Sequence, residues 1–354
     1  MTRIERLAAL LEEPLLVAGP PYVLGGQANV RYLTGLQSSN SAVLVEPDGS
    51  ATLYTDFRYA NRARATEGVE VVETARGLIP AIGELLAGRR IQFEEQHLPH
   101  ALYRTLVDAG VDAVPSTGLV EALRAVKDED EMATMRRAGA LSDEMFAALA
   151  QERFTGRSER DLAWWIERSF REGGAEGVSF EAVVGAGATA ASPHAVPGDA
   201  PIGPGVLVVV DAGCMLGGYC SDCTRTFAVG DVSERLSELY TLCLEAQLAG
   251  LAAVAPGVHG RDADAASRTL IDAAGLGWAY GHGMGHGVGL QIHEAPSLRP
   301  ESTDVLEAGN VVSVEPGIYL PDEGVGVRIE DLVLVTDDGC ERLTQFTKEL
   351  VTVS

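Results

Sequence analysis

Two stretches of this chain place carboxylates at the ends of apolar strands, and that placement limits the fold more than any other feature. The run VLVVV at 206–210 is continuous and apolar, the pattern of a strand covered on both faces, and it ends in Asp211. Glycines follow, then the strand-like segment YCSDCTRTF, which carries Asp222. An antiparallel hairpin turning at Leu216 and Gly217 sets Asp211 directly opposite Asp222. Residues opposed in this way have Cβ atoms about 4.5–5.5 Å apart on one face. Like charges at that separation destabilise a buried ladder, so the pair calls for a cation or a shared proton.

The arrangement recurs towards the C-terminus. VVSV at 311–314 ends in Glu315, and GVRIEDLVLV at 326–335 carries Glu330, with Pro321–Gly324 as the turn between them. The same antiparallel pairing faces Glu315 with Glu330. One acid at the end of a strand is ordinarily a surface residue. Four placed in two matched hairpins argue against surface roles and again call for a cation or a shared proton.

Three of the seven histidines lie in GHGMGHGVGLQIHE at 281–294, where glycine occupies every second position from 281 to 289. In an extended chain this leaves one bare face for close approach of a substrate or a neighbouring backbone. His282, Met284 and His286 share the other face, and a four-residue offset also brings the two histidines together on a helix. A fourth histidine, His194, sits in SPHAVPGD just before the first acid-ended strand. His97, His100 and His259 have no such setting and read as ordinary.

Composition narrows the function from another side. The chain has 354 residues, enough for two domains with a buried core. Its 51 acidic and 27 basic side chains give a formal charge of −24. That balance leaves no basic patch for a phosphate backbone, so nucleic-acid partners are excluded. No apolar run is long enough to span a bilayer, and MTRIERLAALLEEP reads as a charged amphipathic helix without a secretory core, so no membrane partner and a cytoplasmic location are expected. Of the five cysteines, Cys220 and Cys223 have C-x-x-C spacing. A zinc ribbon needs a second such pair, and a redox motif needs a helix N-terminus instead of this strand-like setting. Reduced, buried thiols are expected. GAGATA at 185–190 matches a dinucleotide fingerprint, but Pro193, Pro197 and Gly198 follow at once, which favours a loop over the helix that motif requires.

Along the chain, residues 1–122 read as an α/β domain. Strands are expected in SAVLVEP and SATLYTD around a turn at Pro47–Gly49, near Val69–Val72 and at Arg90–Glu94, with helices at Phe57–Ala65 and Leu78–Ala87. A long amphipathic helix over Glu121–Gln151 opens a second domain, 123–354. Further helices are expected at Glu159–Glu172 (carrying Trp164 and Trp165, read as core or interface), near Glu234–Val254 and near Asp262–Ala274, among strands and glycine-rich turns. The fold class is α+β.

Together these segments resemble the metallopeptidase family that contains methionine aminopeptidase, Xaa-Pro aminopeptidase, prolidase and creatinase, which share the pita-bread fold. NVRYLTGLQSSNSAVLV and TLYTDFRY are similar to the creatinase-type N-terminal domain, and LRAVKDEDEMATMRRAG to the entry into the catalytic domain. SPHAVPGD, VDAGCMLGGYCSDCTRTF, GHGMGHGVGLQIHE, VEPGIYLP and GVRIEDLVLV then follow in the family's order. The resemblance implies a pita-bread catalytic domain preceded by a smaller α/β creatinase-type domain. It makes Asp211, Asp222, His286, Glu315 and Glu330 ligands of two divalent ions, with Asp222 and Glu330 bridging. A metal-bridging hydroxide would be the nucleophile and Glu315 its proton shuttle. By the same resemblance His293 stabilises the tetrahedral intermediate, His194 and His282 line the substrate site, and Arg328 orients a ligand carboxylate from outside the ligand set.

Within the family, the complete ligand set disfavours creatinase and the N-terminal domain disfavours methionine aminopeptidase. A dipeptidase must recognise a free carboxylate beside the scissile bond, which suits a bidentate arginine, and Arg299 is the candidate. The expectation is a prolidase hydrolysing Xaa-Pro dipeptides, with an Xaa-Pro aminopeptidase acting on longer peptides as the alternative and a non-catalytic peptide-binding protein as the third reading. The substrate is then a small peptide with proline second. Oxygen-rich ligands with one imidazole suit Mn²⁺, with Co²⁺ and Zn²⁺ as alternatives. Relatives of this fold are commonly homodimers, so a homodimer is expected.

Overall fold

Strand-forming apolar runs and glycine punctuation organise the first 124 residues around one sheet. The computed structural model describes residues 1–19 and 26–354, which divide into two units, Met1–Arg124 and Ala125–Ser354. In the first unit, β1 (Leu15–Ala18), β2 (Ser41–Val45), β3 (Ala51–Asp56), β4 (Glu70–Thr74), β5 (Arg90–Glu94) and β6 (Asp112–Ser116) lie in the order β4-β3-β2-β1-β5-β6. β1–β2 and β2–β3 are antiparallel, whereas the outer pairs are parallel. Helices α1 (Arg3–Ala8), α2 (Gly26–Thr34), α3 (Ala60–Ala63), α4 (Leu78–Leu85), α5 (His100–Asp108) and α6 (Leu119–Ala125) complete the α/β unit. The helix expected at Phe57–Ala65 is only four residues long. Asp56 takes both the backbone N–H and the guanidinium of Arg58, which holds the preceding residues in a turn.

The single helix expected over Glu121–Gln151 is two helices, α6 and then α7 (Glu129–Leu149). The break is a capping box. Asp128, in an extended conformation, accepts from the Glu131 N–H, and the Glu131 carboxylate accepts from the Asp128 N–H. α8 (Glu159–Glu172), α9 (Glu234–Ala253) and α10 (Gly260–Ala273) lie close to the expected spans. On α8, Trp165 packs against the core, but Trp164 is exposed.

The second unit carries β7 (Gly177–Val178), β8 (Val183–Ala186), β9 (Val206–Asp211), β10 (Cys214–Leu216), β11 (Tyr219–Cys220) and β12 (Thr224–Val229). These are followed by β13 (Gly285–Gly287), β14 (Glu294–Leu298), β15 (Val311–Val314), β16 (Gly317–Leu320), β17 (Val325–Arg328), β18 (Asp331–Val335), β19 (Cys340–Arg342) and β20 (Thr352–Val353). The larger sheets run β20-β12-β9-β8 and β14-β13-β15-β18-β19. Helices α7 and α8 cover the first through a core that includes Phe146, Phe170 and Phe227; Met284 of the segment before β13 is buried against the second. The class is α+β, as expected. GAGATA crosses from β8 into a short 3₁₀ turn at Thr189–Ala191, so the segment is the expected loop. All five cysteines are free; four are buried and Cys340 is half-buried. No described helix is long and apolar enough to cross a membrane.

Candidate metal centre

Five side chains carried on strands and the links between them come together in the second unit. Asp211 is the last residue of β9, Asp222 lies between β11 and β12, and His286 is inside β13. Glu315 links β15 to β16, and Glu330 links β17 to β18. A carboxylate oxygen from each of Asp211, Asp222 and Glu330 lies within 4.8 Å of the others. His286 Nε2 is 3.2 Å from Glu315 Oε1 and 3.7 Å from Asp222 Oδ2.

The first hairpin turns later than the spacing suggested. Gly217 and Gly218 both have positive φ, the conformation that a two-residue hairpin loop requires at its two central positions. Leu216 therefore pairs with Tyr219, and Asp211 faces Thr224 instead of Asp222. Asp222 becomes a diagonal neighbour and still reaches the cluster. The second hairpin keeps the expected register: Val314 pairs with Asp331 and Gly317 with Arg328, on either side of Glu315 and Glu330. The alternating glycines serve the protein's own backbone. A side chain at Gly285 would collide with the Ser313 carbonyl, and one at Gly287 with the Ala295 carbonyl. Only residues 285–287 are a strand, and Met284, expected beside His282 and His286, is buried in the apolar core.

The carboxylates are held by neighbouring donors. Arg328 donates from Nη2 to Asp211 Oδ2 at 2.7 Å and from Nε to Thr224 Oγ1 at 3.1 Å. Thr224 in turn donates to Glu330 Oε2 at 2.7 Å. Ser313 Oγ accepts from the His286 N–H and donates to Glu315 Oε1. His286 Nδ1 faces the Gly287 carbonyl at 3.1 Å, so the proton sits there and Nε2 points into the cluster. Thr224 and Ser313 were not singled out from sequence; a threonine or serine within a strand carries no distinguishing pattern.

Burial and mutual repulsion push Asp222 and Glu330 well above the usual carboxylate range, and burial raises Asp211. Burial also opposes ionisation of Glu315, but its hydrogen bond and charge contact with His286 hold that carboxyl at about 2. The same contact, again against burial, raises His286 to about 9. Asp211 Oδ1 and Glu330 Oε1 are buried and accept no hydrogen bond. Buried carboxylate oxygens left bare beside other carboxyl groups are what divalent cations satisfy once the protons leave, so four carboxylates and one imidazole fit a pair of such ions.

The cluster lies at the floor of a cavity of about 430 Å³. His194, His282, His293, Arg299 and Arg328 line it with Phe180, Val183 and Ile292, so the structure brings every sequence-predicted site residue except Glu330 to this cavity, and Glu330 lies beside Asp211 and Asp222, which do line it. The His293 ring meets the His286 ring edge-on at 4.3 Å. Glu294, next to His293, accepts from the Gln291 N–H and lies 3.6 Å from the buried Lys127 ammonium. In the first unit, Glu94, His97 and Glu121 form a second acidic group that the sequence did not reveal. Its centre is taken by the Asn29 amide, which donates to both carboxylates at 2.6 Å.

Residues 133–337 match the model of "Metallopeptidase family M24", and residues 3–126 that of "Creatinase/Prolidase N-terminal domain". The chain is 32% identical to the Xaa-Pro dipeptidase of Pyrococcus furiosus, over 99% of both chains. Among solved structures it is similar to an Xaa-Pro dipeptidase from Bacillus anthracis, with 36% identity, a TM-score of 0.93 and 99% coverage of both chains. It is also similar to an X-Pro aminopeptidase from Thermotoga maritima, with 31% identity, a TM-score of 0.90, and coverage of 98% of this chain and all of that one (100%).

Proposed function

Since the chain belongs to metallopeptidase family M24, we propose that it hydrolyses the Xaa-Pro bond of dipeptides, with Asp211, Asp222, His286, Glu315 and Glu330 holding two divalent ions. The observation that carries this reading is the convergence of those five side chains, two of them with bare buried oxygens, under a cavity that also holds Arg299. When bound, the ions supply an activated water and polarise the scissile carbonyl. The chain's own residues do the rest. Glu315 takes the proton of the attacking water and returns it to the departing proline nitrogen. His293 and His194 donate to the carbonyl oxygen as it gains charge. Arg299 pairs with the free carboxylate of the dipeptide. Phe180, Ile292 and the His282 ring form the apolar wall that suits a pyrrolidine.

The donor set supports Mn²⁺ in the cell, ahead of Co²⁺ and Zn²⁺. Free, mostly buried cysteines support a reducing cytoplasm, and the family likeness supports a homodimer. The similarity to the Thermotoga maritima aminopeptidase favours a second reading, cleavage of longer Xaa-Pro peptides. Turnover of Ala-Pro against Ala-Pro-Ala by the Mn²⁺-loaded protein separates the two. Faster release from Ala-Pro supports the dipeptidase, and faster cleavage of the tripeptide overturns it.

A further inference from the structure

Tyr319 does not touch the carboxylate cluster, yet its hydroxyl connects the guanidinium that orders the cluster to the histidine that walls the cavity. It lies 2.7 Å from Arg328 Nη1 and 3.1 Å from His282 Nε2, and the residue is buried. A guanidinium nitrogen only donates, so Arg328 donates to the phenol oxygen. On the other side of the imidazole, Nδ1 is 2.8 Å from the Gly283 carbonyl, which only accepts, so Nδ1 carries a proton. An imidazolium would require the Tyr319 oxygen to accept from Arg328 and His282 together, leaving its own proton undirected in a buried site beside a guanidinium. The arrangement that satisfies all three groups runs in one direction: Arg328 donates to Tyr319, Tyr319 to His282 Nε2, and His282 Nδ1 to Gly283.

Resting on the peptidase reading above, we infer that Tyr319 is a positioning residue that locks His282 as the neutral Nδ1–H tautomer and so presents it to the substrate as a ring face with no free N–H. The ring is held in other ways that agree with this role. Tyr280 meets it edge-on at 5.2 Å, and Arg268, stacked on Tyr280, donates to the His282 carbonyl at 2.7 Å. Tyr319 itself is fixed because its phenol lies across Gly317, where any side chain would collide with it. With both nitrogens occupied, His282 acts on substrate by shape and apolar contact, unlike His293 and His194. The same hydroxyl ties that wall to Arg328, and Arg328 also donates to the carbonyl of Pro193, the residue before His194. One arginine therefore sets two walls of the cavity as well as Asp211.

Two measurements test this. In Zn²⁺-loaded protein with ¹⁵N-labelled histidine, a two-bond nitrogen–proton correlation reads the His282 tautomer, with the signal assigned by its loss in His282→Gln. A protonated Nδ1 and a bare Nε2 are expected; a protonated Nε2, or an imidazolium, overturns the inference. In Tyr319→Phe, which removes the hydrogen bonds to both His282 and Arg328, KM for Ala-Pro is expected to rise about 10-fold, the effect of losing the bond to His282, with kcat within about 3-fold and bound metal unchanged. An unchanged KM, or a loss of metal in proportion to activity, overturns it. The tautomer spectrum needs no variant at Tyr319, so it decides the matter even where Tyr319→Phe does not fold. If the wild-type protein releases no proline from Ala-Pro, the proposed function fails while the tautomer result stands by itself.

Discussion

Arg328 Nη2 and Asp211 Oδ2 are 2.7 Å apart, a charge-assisted hydrogen bond between two largely buried side chains. The same guanidinium reaches Thr224, Tyr319 and the Pro193 carbonyl. Lysine is a point charge and cannot serve four acceptors in a fixed plane. Arg328→Lys is therefore expected to weaken metal binding by about 10–100-fold, the usual cost of disturbing groups that orient ligands. Competition with a fluorescent chelator measures this; wild-type affinity in the variant would contradict the role.

Protons must leave before metal enters. His286 sits at about 9, and Asp222 and Glu330 titrate well above ordinary carboxylates, whereas each binds an ion only when deprotonated. Raised ligand pKa values mean that affinity falls as pH falls and is recovered as pH rises through them. Calorimetry in buffers of different ionisation heat is expected to find more than about one proton released per chain at neutral pH. Binding with no proton release would rule out this protonation pattern.

Metal should also stabilise the fold. Binding only to the native state at about 100 times Kd contributes about 2.7 kcal/mol. For a domain of this size that raises Tm by roughly 5–10 °C. Thermal unfolding with excess Mn²⁺ against excess chelator is the check, and coincident curves would be evidence against a built site.

Much of this site was legible from sequence because strand ends and turns obey local rules. The Glu315–Glu330 register followed from a turn between two regular strands. The Asp211–Asp222 register did not, because the positive φ needed at both Gly217 and Gly218 outweighed the symmetric placement of the loop. The break between α6 and α7 was written in Asp128 and Glu131 but was masked by continuous amphipathic character on both sides. Tyr319 and Thr224 were invisible: their roles depend on contacts with Arg328, and no spacing encodes those.

Asp331, beside Glu330, illustrates a contact of the same kind. It is fully buried with Arg225 at 2.8 Å and Lys348 at 2.7 Å. Arg225→Met leaves Asp331 with Lys348 as its near cation and takes the donor from the Glu330, Phe346 and Thr347 carbonyls as well, so it is expected to lose about 3–5 kcal/mol in urea unfolding. Arg136→Met breaks an exposed pair with Glu341 and should lose less than about 1 kcal/mol. Equal losses would show that burial is not what makes the Asp331 network matter.

The most direct measurement is a titration of chelator-stripped protein with Mn²⁺ while proline released from Ala-Pro is followed, for the wild type and for Asp222→Asn. The expected result is saturation at two ions per chain, with proline release rising as the sites fill and falling by at least about 10²-fold in the variant. Proline release that is independent of metal, or a metal-saturated protein that releases none, would contradict the assignment of this cluster as the centre of an Xaa-Pro peptidase.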